Sequence, residues 1–320
     1  MATPAEVLPR SIDEIVLKDR NGHVMARVGM LVTLYFKSPY AIEAREAVGV
    51  CIDEYLGYVG PEMQVAWSGE RNAKGSRKVI AVKDRTLPSM KEVVADHSEH
   101  DTLLLAFNSG DTSDDAGSYT VAAFCKGKRS FEQLGYLTAT LPLGYLETMP
   151  NGFFQDLVVR WCQRLTPLHG YAGFGLSQCL DVGSALNYEP HLFPLIKRFP
   201  GLEFDNPTLH AGHIEDSIKG VNWLTVVSDE LLAKIGGKRA VRDKFGKDIG
   251  AQNYKGGLLI QAGLMPQLGD RTKNQIPFYY RQVYKVLAPL QTDHGGTTIM
   301  KTPDGIDGDV FTEKWLKRFE

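Results

Sequence analysis

The chain has 320 residues, 43% of them hydrophobic and 23% charged, which is ordinary globular composition with enough apolar material for a large core. Its formal charge of −2 argues against a protein whose main work is gripping nucleic acid, since phosphate binding normally needs surplus Lys and Arg. No run approaches the roughly 18 apolar residues of a membrane helix. The N-terminus has Pro4 and Glu6 where a secretory signal places basic and then apolar residues, so a cytoplasmic protein without membrane contact is expected.

Ile15 to Leu17 and Val28 to Phe36 read as two strands joined by a turn at Asn21-Gly22. Ser38 as N-cap and Pro39 in the first turn introduce a helix with Ala41, Ala44, Val48, Cys51, Ile52 and Tyr55 at helical spacing. Short strands are expected at Val65 to Ser68 and Lys78 to Val82, around a polar turn from Glu70 to Gly75. Leu87 to His100 reads as an amphipathic helix with an acidic outer face, and Thr102 to Phe107, Tyr119 to Phe124 and Leu134 to Leu141 as strands.

A second passage opens near Pro150 with a helix from Phe153 to Leu165, a strand from Tyr171 to Cys179 and a helix from Ala185 to Phe199 that must tolerate Pro190 and Pro194. A strand from Val221 to Val227 leads into a helix from Asp229 to Ile235, ended by Gly236-Gly237. A strand from Gly257 to Ala262 and a helix from Phe278 to Leu287, stopped by Pro289, complete the pattern. The sum is an α+β chain of mixed, mainly antiparallel sheets with packed helices. Residues 1–147 and 148–320 form two halves of loosely similar layout, and the absence of a low-complexity linker favours packing into one unit.

No sharp catalytic constellation appears. The thiols Cys51, Cys125, Cys162 and Cys179 form no Cys-x-x-Cys pair and read as buried, reduced core residues. Histidines 97 and 100 among Asp96, Glu99 and Asp101 could share a helix face, but no third metal ligand is fixed by spacing. His210, His213, Glu215 and Asp216 fall within seven residues beside a glycine turn and could converge as a metal or acid-base site, or form a polar strand edge and turn. Neither a Gly-x-Ser-x-Gly elbow nor a complete phosphate or dinucleotide loop is present, so no catalytic residue, metal or cofactor is assigned.

Several phrases in the second half resemble the type VI secretion immunity proteins for VRR-Nuc effectors. These are Gly170-Tyr-Ala-Gly-Phe-Gly175, Arg198-Phe-Pro-Gly-Leu202, Ile218-Lys-Gly-Val-Asn-Trp-Leu-Thr225, Gly236-Gly237, Gln261-Ala-Gly263 with Pro266 and Gly269-Asp270, and Tyr280-Arg281 followed by Ala288-Pro-Leu290. The resemblance implies a non-enzymatic cytoplasmic antitoxin that binds one partner, a cognate effector toxin of nuclease type, with no direct contact to nucleic acid. A homodimer stays open. Two rival readings are a metal-dependent hydrolase using His210, His213, Glu215 and Asp216, and an effector chaperone or adaptor of the secretion apparatus.

Charge distribution adds a surface to that implication. No Lys or Arg falls between Lys91 and Lys126, while Glu92, Asp96, Glu99, Asp101, Asp111, Asp114 and Asp115 all do. These carboxylates are candidates to meet the basic DNA-binding surface of a nuclease in place of phosphate. The His210 to Asp216 loop is the alternative recognition segment.

Overall fold

The longest strand-like apolar run of the sequence lies at the centre of the structure, a computed structural model that describes residues 15–71, 77–128, 133–293 and 298–320. β1 (Val16–Lys18) pairs back onto the start of β2 (Val24–Phe36) through a turn in which the Asp19 carboxylate accepts from the Asn21 and His23 amides. In β2 only Val24 and Arg27 fall short of full burial, so both of its faces must be covered.

α1 (Ile42–Val59) starts after Ala41, not Ser38, because Ser38 adopts a left-handed conformation (φ 50°) and its carbonyl accepts the Ala41 amide. β3 (Val65–Arg71) and β4 (Arg77–Ala81) pair as expected, with β3 continuing through Glu70 and Arg71 of the predicted turn, whose remainder lies outside the described residues. α2 (Met90–Ala95) occupies only the middle of the helix read from Leu87 to His100. Asp53 of α1 fixes its start by accepting from Ser89 Oγ (2.6 Å) and the Met90 amide (2.6 Å), and Asp101 turns the chain beyond it by accepting from the amide and hydroxyl of Ser98.

β5 (Leu103–Asn108), β6 (Thr120–Cys125) and β7 (Gly135–Leu141) form a meander, followed by α3 (Leu143–Glu147) and α4 (Phe153–Leu165). The remaining elements are β8 (His169–Ser177), α5 (Val182–Arg198), α6 (Pro207–His210), β9 (Leu224–Ser228), α7 (Asp229–Ala233), α8 (Gly237–Arg242), β10 (Ile249–Tyr254), β11 (Gly257–Ala262), α9 (Phe278–Leu287) and α10 (Gly308–Leu316). β9 begins three residues later than the pattern suggests, because Asn222 turns the chain by bonding Trp223 through its side chain and Thr225 through its amide.

All strands belong to one sheet in the order β10-β11-β9-β8-β2-β7-β6-β5-β3-β4, with β1 beside β2. Pairings between these strands are antiparallel, and parallel contact is confined to the isolated bridges Gly175–Glu203 and Ile218–Gln291. The α+β arrangement expected, with mixed, mainly antiparallel sheets and packed helices, takes the form of one antiparallel sheet covered by helices. It runs without a break across residues 147 and 148, since β2 pairs β8 from Arg27–Ser177 to Tyr35–His169.

One cover of the sheet is α1 with α4, clamped where Glu54 meets Arg160 (2.7 Å) and Arg164, and where Tyr55 packs on Trp161. α5 also packs on β2 and α6 on β7, and the chain between them runs alongside β8 through the parallel bridge Gly175–Glu203. All four cysteines are buried free thiols, and burial pushes those of Cys51, Cys125 and Cys179 up to about 12. No described helix is long and apolar enough to cross a membrane.

Candidate functional site

The densest set of ionisable groups lies under the chain that follows α5. The Glu203 amide donates to the Phe174 carbonyl and the Leu176 amide to the Glu203 carbonyl, which holds this segment alongside β8. Alternate side chains of an extended segment share a face, so Glu203 and Asp205 both turn toward the sheet. Asp205 accepts from Tyr171 Oη (2.6 Å), Tyr35 Oη (3.2 Å), Thr33 Oγ1 and His210 Nδ1 (3.3 Å). Glu203 meets Lys219 Nζ (2.8 Å) and Arg318 Nη2 (2.9 Å), and Lys219 also donates to the Phe204 carbonyl (2.6 Å).

These charges balance. Burial alone would raise the Asp205 carboxyl, but the Lys219 ammonium and the hydrogen bonds from His210 and Thr33 hold it well below the usual carboxylate range. Burial, seconded by Lys219, pushes His210 down to about 4, and burial does most of the work that takes His169 to about 3. Both imidazoles are therefore neutral near pH 7, and two carboxylates face one ammonium and one guanidinium. Arg318 is further held by stacking 3.5 Å from the Trp315 ring and by donating to the Pro200 carbonyl. The cluster fastens the 199–223 segment and the end of the chain to the sheet.

Of the four residues read as a metal or acid-base site, the structure brings two together: His210, buried against Asp205, and His213 line one narrow cavity with Ile214, Lys219, Thr292, Ile299 and Leu316. Glu215 is exposed, and Asp216 pairs with Lys234 (3.2 Å). Among the described residues no group of three or more His, Cys, Asp or Glu side chains is placed to share a metal ion.

The acidic span divides into two groups. Glu92, Asp96, Glu99 and Asp101 lie before β5, where Glu92, Asp96 and Asp101 are exposed and Glu99 pairs with Lys128 (3.3 Å). Asp111, Asp114 and Asp115 lie after it, so the length of β5, about 20 Å for six residues, separates them from the first group. Asp115 is buried and structural: it accepts from the Val24 amide (2.8 Å) and Thr112 Oγ1 (2.6 Å). Asp114 accepts from Ser184 Oγ of α5 (2.5 Å), and Asp111 is exposed.

A profile of the family described as type VI immunity for VRR-Nuc matches residues 47–319. The chain belongs to this family of immunity proteins. Among solved structures it is similar to a T6SS protein of Pseudomonas aeruginosa, at 26% identity and a TM-score of 0.83, with 97% of this chain and 88% of that chain covered. None of the curated protein sequences matches.

The family phrases recognised in the sequence occupy structural positions. In β8 a side chain at Gly170 would meet the Thr33 carbonyl at 2.6 Å, and one at Gly175 would meet Leu31, so glycine lets β8 lie close to β2. Arg198 pairs with Asp270 (2.9 Å), and Trp223 Nε1 donates to the Gly263 carbonyl (3.0 Å). Lys219 belongs to the Ile218–Thr225 phrase. Its role, and those of Glu203, Asp205 and Arg318, escaped the sequence reading because Arg318 reaches Glu203 across 115 positions.

Proposed function

We propose that this immunity protein neutralises a nuclease effector by stoichiometric occlusion in the cytoplasm, with no chemistry of its own. The observation that carries the reading is family membership across residues 47–319. The buried charge cluster is compatible with it, since Glu203 and Asp205 are paired with Lys219 and Arg318 in the interior of the fold, where they brace the structure. A rigid body holding carboxylates at its surface suits an inhibitor that meets a phosphate-binding cleft, where complementary charge speeds encounter and disfavours wrong partners.

Co-expression with a VRR-Nuc effector toxin from the same genome tests the proposal. Growth should be restored, the purified pair should form a 1:1 complex, and added complex partner should stop DNA cleavage in vitro. Growth arrest despite complex formation would instead identify an effector chaperone. Protection that requires His213 and a divalent ion would identify an enzyme.

A further inference from the structure

Between Ile249 and Thr292 the sequence contains a single acid, Asp270, which is buried and paired with Arg198. The exposed charges of this stretch are therefore all cationic. It also carries the most exposed large apolar side chains among the described residues: Leu264 (86%), Met265 (70%) and Phe278 (62%). Trp223 Nε1 donates to the Gly263 carbonyl, the Gln267 amide donates to Tyr280 Oη (3.1 Å), and a Cβ at Gly263 would meet the Tyr279 ring at 2.7 Å. The Leu264–Met265 tip is thus fixed at both ends beside the first turn of α9, where Phe278 meets Tyr279 edge-on.

Cations flank this tip on two sides. Arg271 and Lys273 are exposed on a turn that packs against α5, whose last turn adds Lys197. Lys285 follows Phe278 by seven residues, which returns it to the same face of α9.

The acids of neighbouring elements are offset or turned away. Asp248 precedes Ile249, the partner of Ala262, and has the exposed Lys244 and Lys247 beside it in the chain. Asp309, Glu313 and Glu320 line a groove with Tyr284 and Ala288, on a face of α9 turned about 80–120° from Phe278. Asp156 lies two residues from Phe154, which stacks on Trp223, so it points to the other side of α4.

This combination selects a class of partner. A twofold contact with a second copy would bring the two sets of cations together. Nucleic acid would engage the cations through phosphate but leave the aliphatic tip in water. An anionic bilayer surface takes both, with apolar side chains entering the headgroup boundary and Lys and Arg meeting lipid phosphates. We propose that the Leu264–Met265 tip, with Phe278 and its flanking cations, docks on anionic phospholipid membranes. The expectation of no membrane contact rested on the lack of a spanning apolar run, which surface docking does not need.

The test is co-flotation of the full-length protein with vesicles of equal parts phosphatidylglycerol and phosphatidylcholine, and with phosphatidylcholine alone. Wild-type protein should float with the first and not the second, and should be released as salt rises from about 50 to 300 mM. Leu264→Ser/Met265→Ser should weaken partitioning at least about tenfold, and Lys273→Ala/Lys285→Ala about thirtyfold, or fivefold per charge. Melting temperatures should not change, because all four side chains are exposed. Val182→Ser/Leu186→Ser, an exposed apolar pair at the opposite end of α5 from Lys197, should float as wild type does. Wild-type protein that stays behind with anionic vesicles, flotation indifferent to headgroup charge, or a Leu264/Met265 variant that floats normally each overturns the proposal. So does a dimer dispersed by that variant, or duplex DNA bound, in place of flotation. None of these outcomes bears on protection against the effector, so this inference and the immunity reading fail separately.

Discussion

Breaking a buried charge pair exposes its energetic role more clearly than counting its bonds. Lys219 is the hinge of the internal cluster, contacting Glu203, Asp205, Tyr171 and the Phe204 carbonyl while almost wholly buried. Removing one partner of such a set leaves an uncompensated carboxylate, so Lys219→Ala should cost roughly 3–5 kcal/mol in urea unfolding. An unchanged midpoint would show that water already screens the cluster. The two neutral imidazoles add a pH dependence. In the unfolded chain His169 and His210 regain an ordinary value near ~6.5, whereas in the fold they stand at about 3 and about 4. The unfolded state thus binds more protons below that point, and stability present at neutral pH falls as the solution is acidified from about 6.5 toward 4. Each histidine contributes a slope of at most ~1.4 kcal/mol per pH unit. Unfolding curves at pH 7, 6 and 5 should steepen this way for wild type and lose about half the slope in His169→Phe.

Strands and long helices were legible because their periods are local. β5, β6, β7, α4, β11 and α9 fall within two residues of the segments read from apolar spacing. Errors arose where side chains overrule spacing, as when Asp53 and Asp101 trim α2 to its middle. β10 was missed because Gly250, Gln252 and Asn253 suit an edge strand with little to bury, and only pairing with β11 holds it. α10 was missed although Asp307 caps it, accepting from the Asp309 and Val310 amides. The acidic loop teaches a related lesson: Asp115 looked like surface charge but ties that loop to the β1–β2 hairpin. Asp115→Ser should therefore destabilise the fold by about 1–3 kcal/mol, read as a lowered urea midpoint, whereas Asp111→Ser should not. On α5, Pro194→Ala restores a donor to the Pro190 carbonyl in a helix interior. It should raise the melting temperature, and an unchanged melting temperature would show that the Pro190 carbonyl is already satisfied in the fold.

At the scale of the molecule, sequence could place acidic residues together along the chain but not in space. The span from Glu92 to Asp115 looks continuous in one dimension, and β5 splits it into groups at opposite ends of a strand. Their separation of about 20 Å is more than twice the Debye length of ~8 Å at physiological ionic strength, so each group acts on an approaching partner almost independently. A basic partner seated at the Asp111 end of β5 is therefore screened from Glu92 and Asp96, and one seated at the α2 end is screened from Asp111. Replacing the group that faces the effector, Asp111→Ser at one end or Glu92→Ser/Asp96→Ser at the other, should reduce the association rate and flatten its dependence on salt, and replacing the other group should change neither. Stopped-flow association between about 50 and 300 mM salt separates the two, because steering charges act on the encounter rate while packed contacts act on dissociation. A flattened slope from the Glu92/Asp96 pair alone would place the docking surface at the α2 end of the sheet, one from Asp111 alone would place it at the 109–119 loop, and no change from either would remove both groups from the encounter surface.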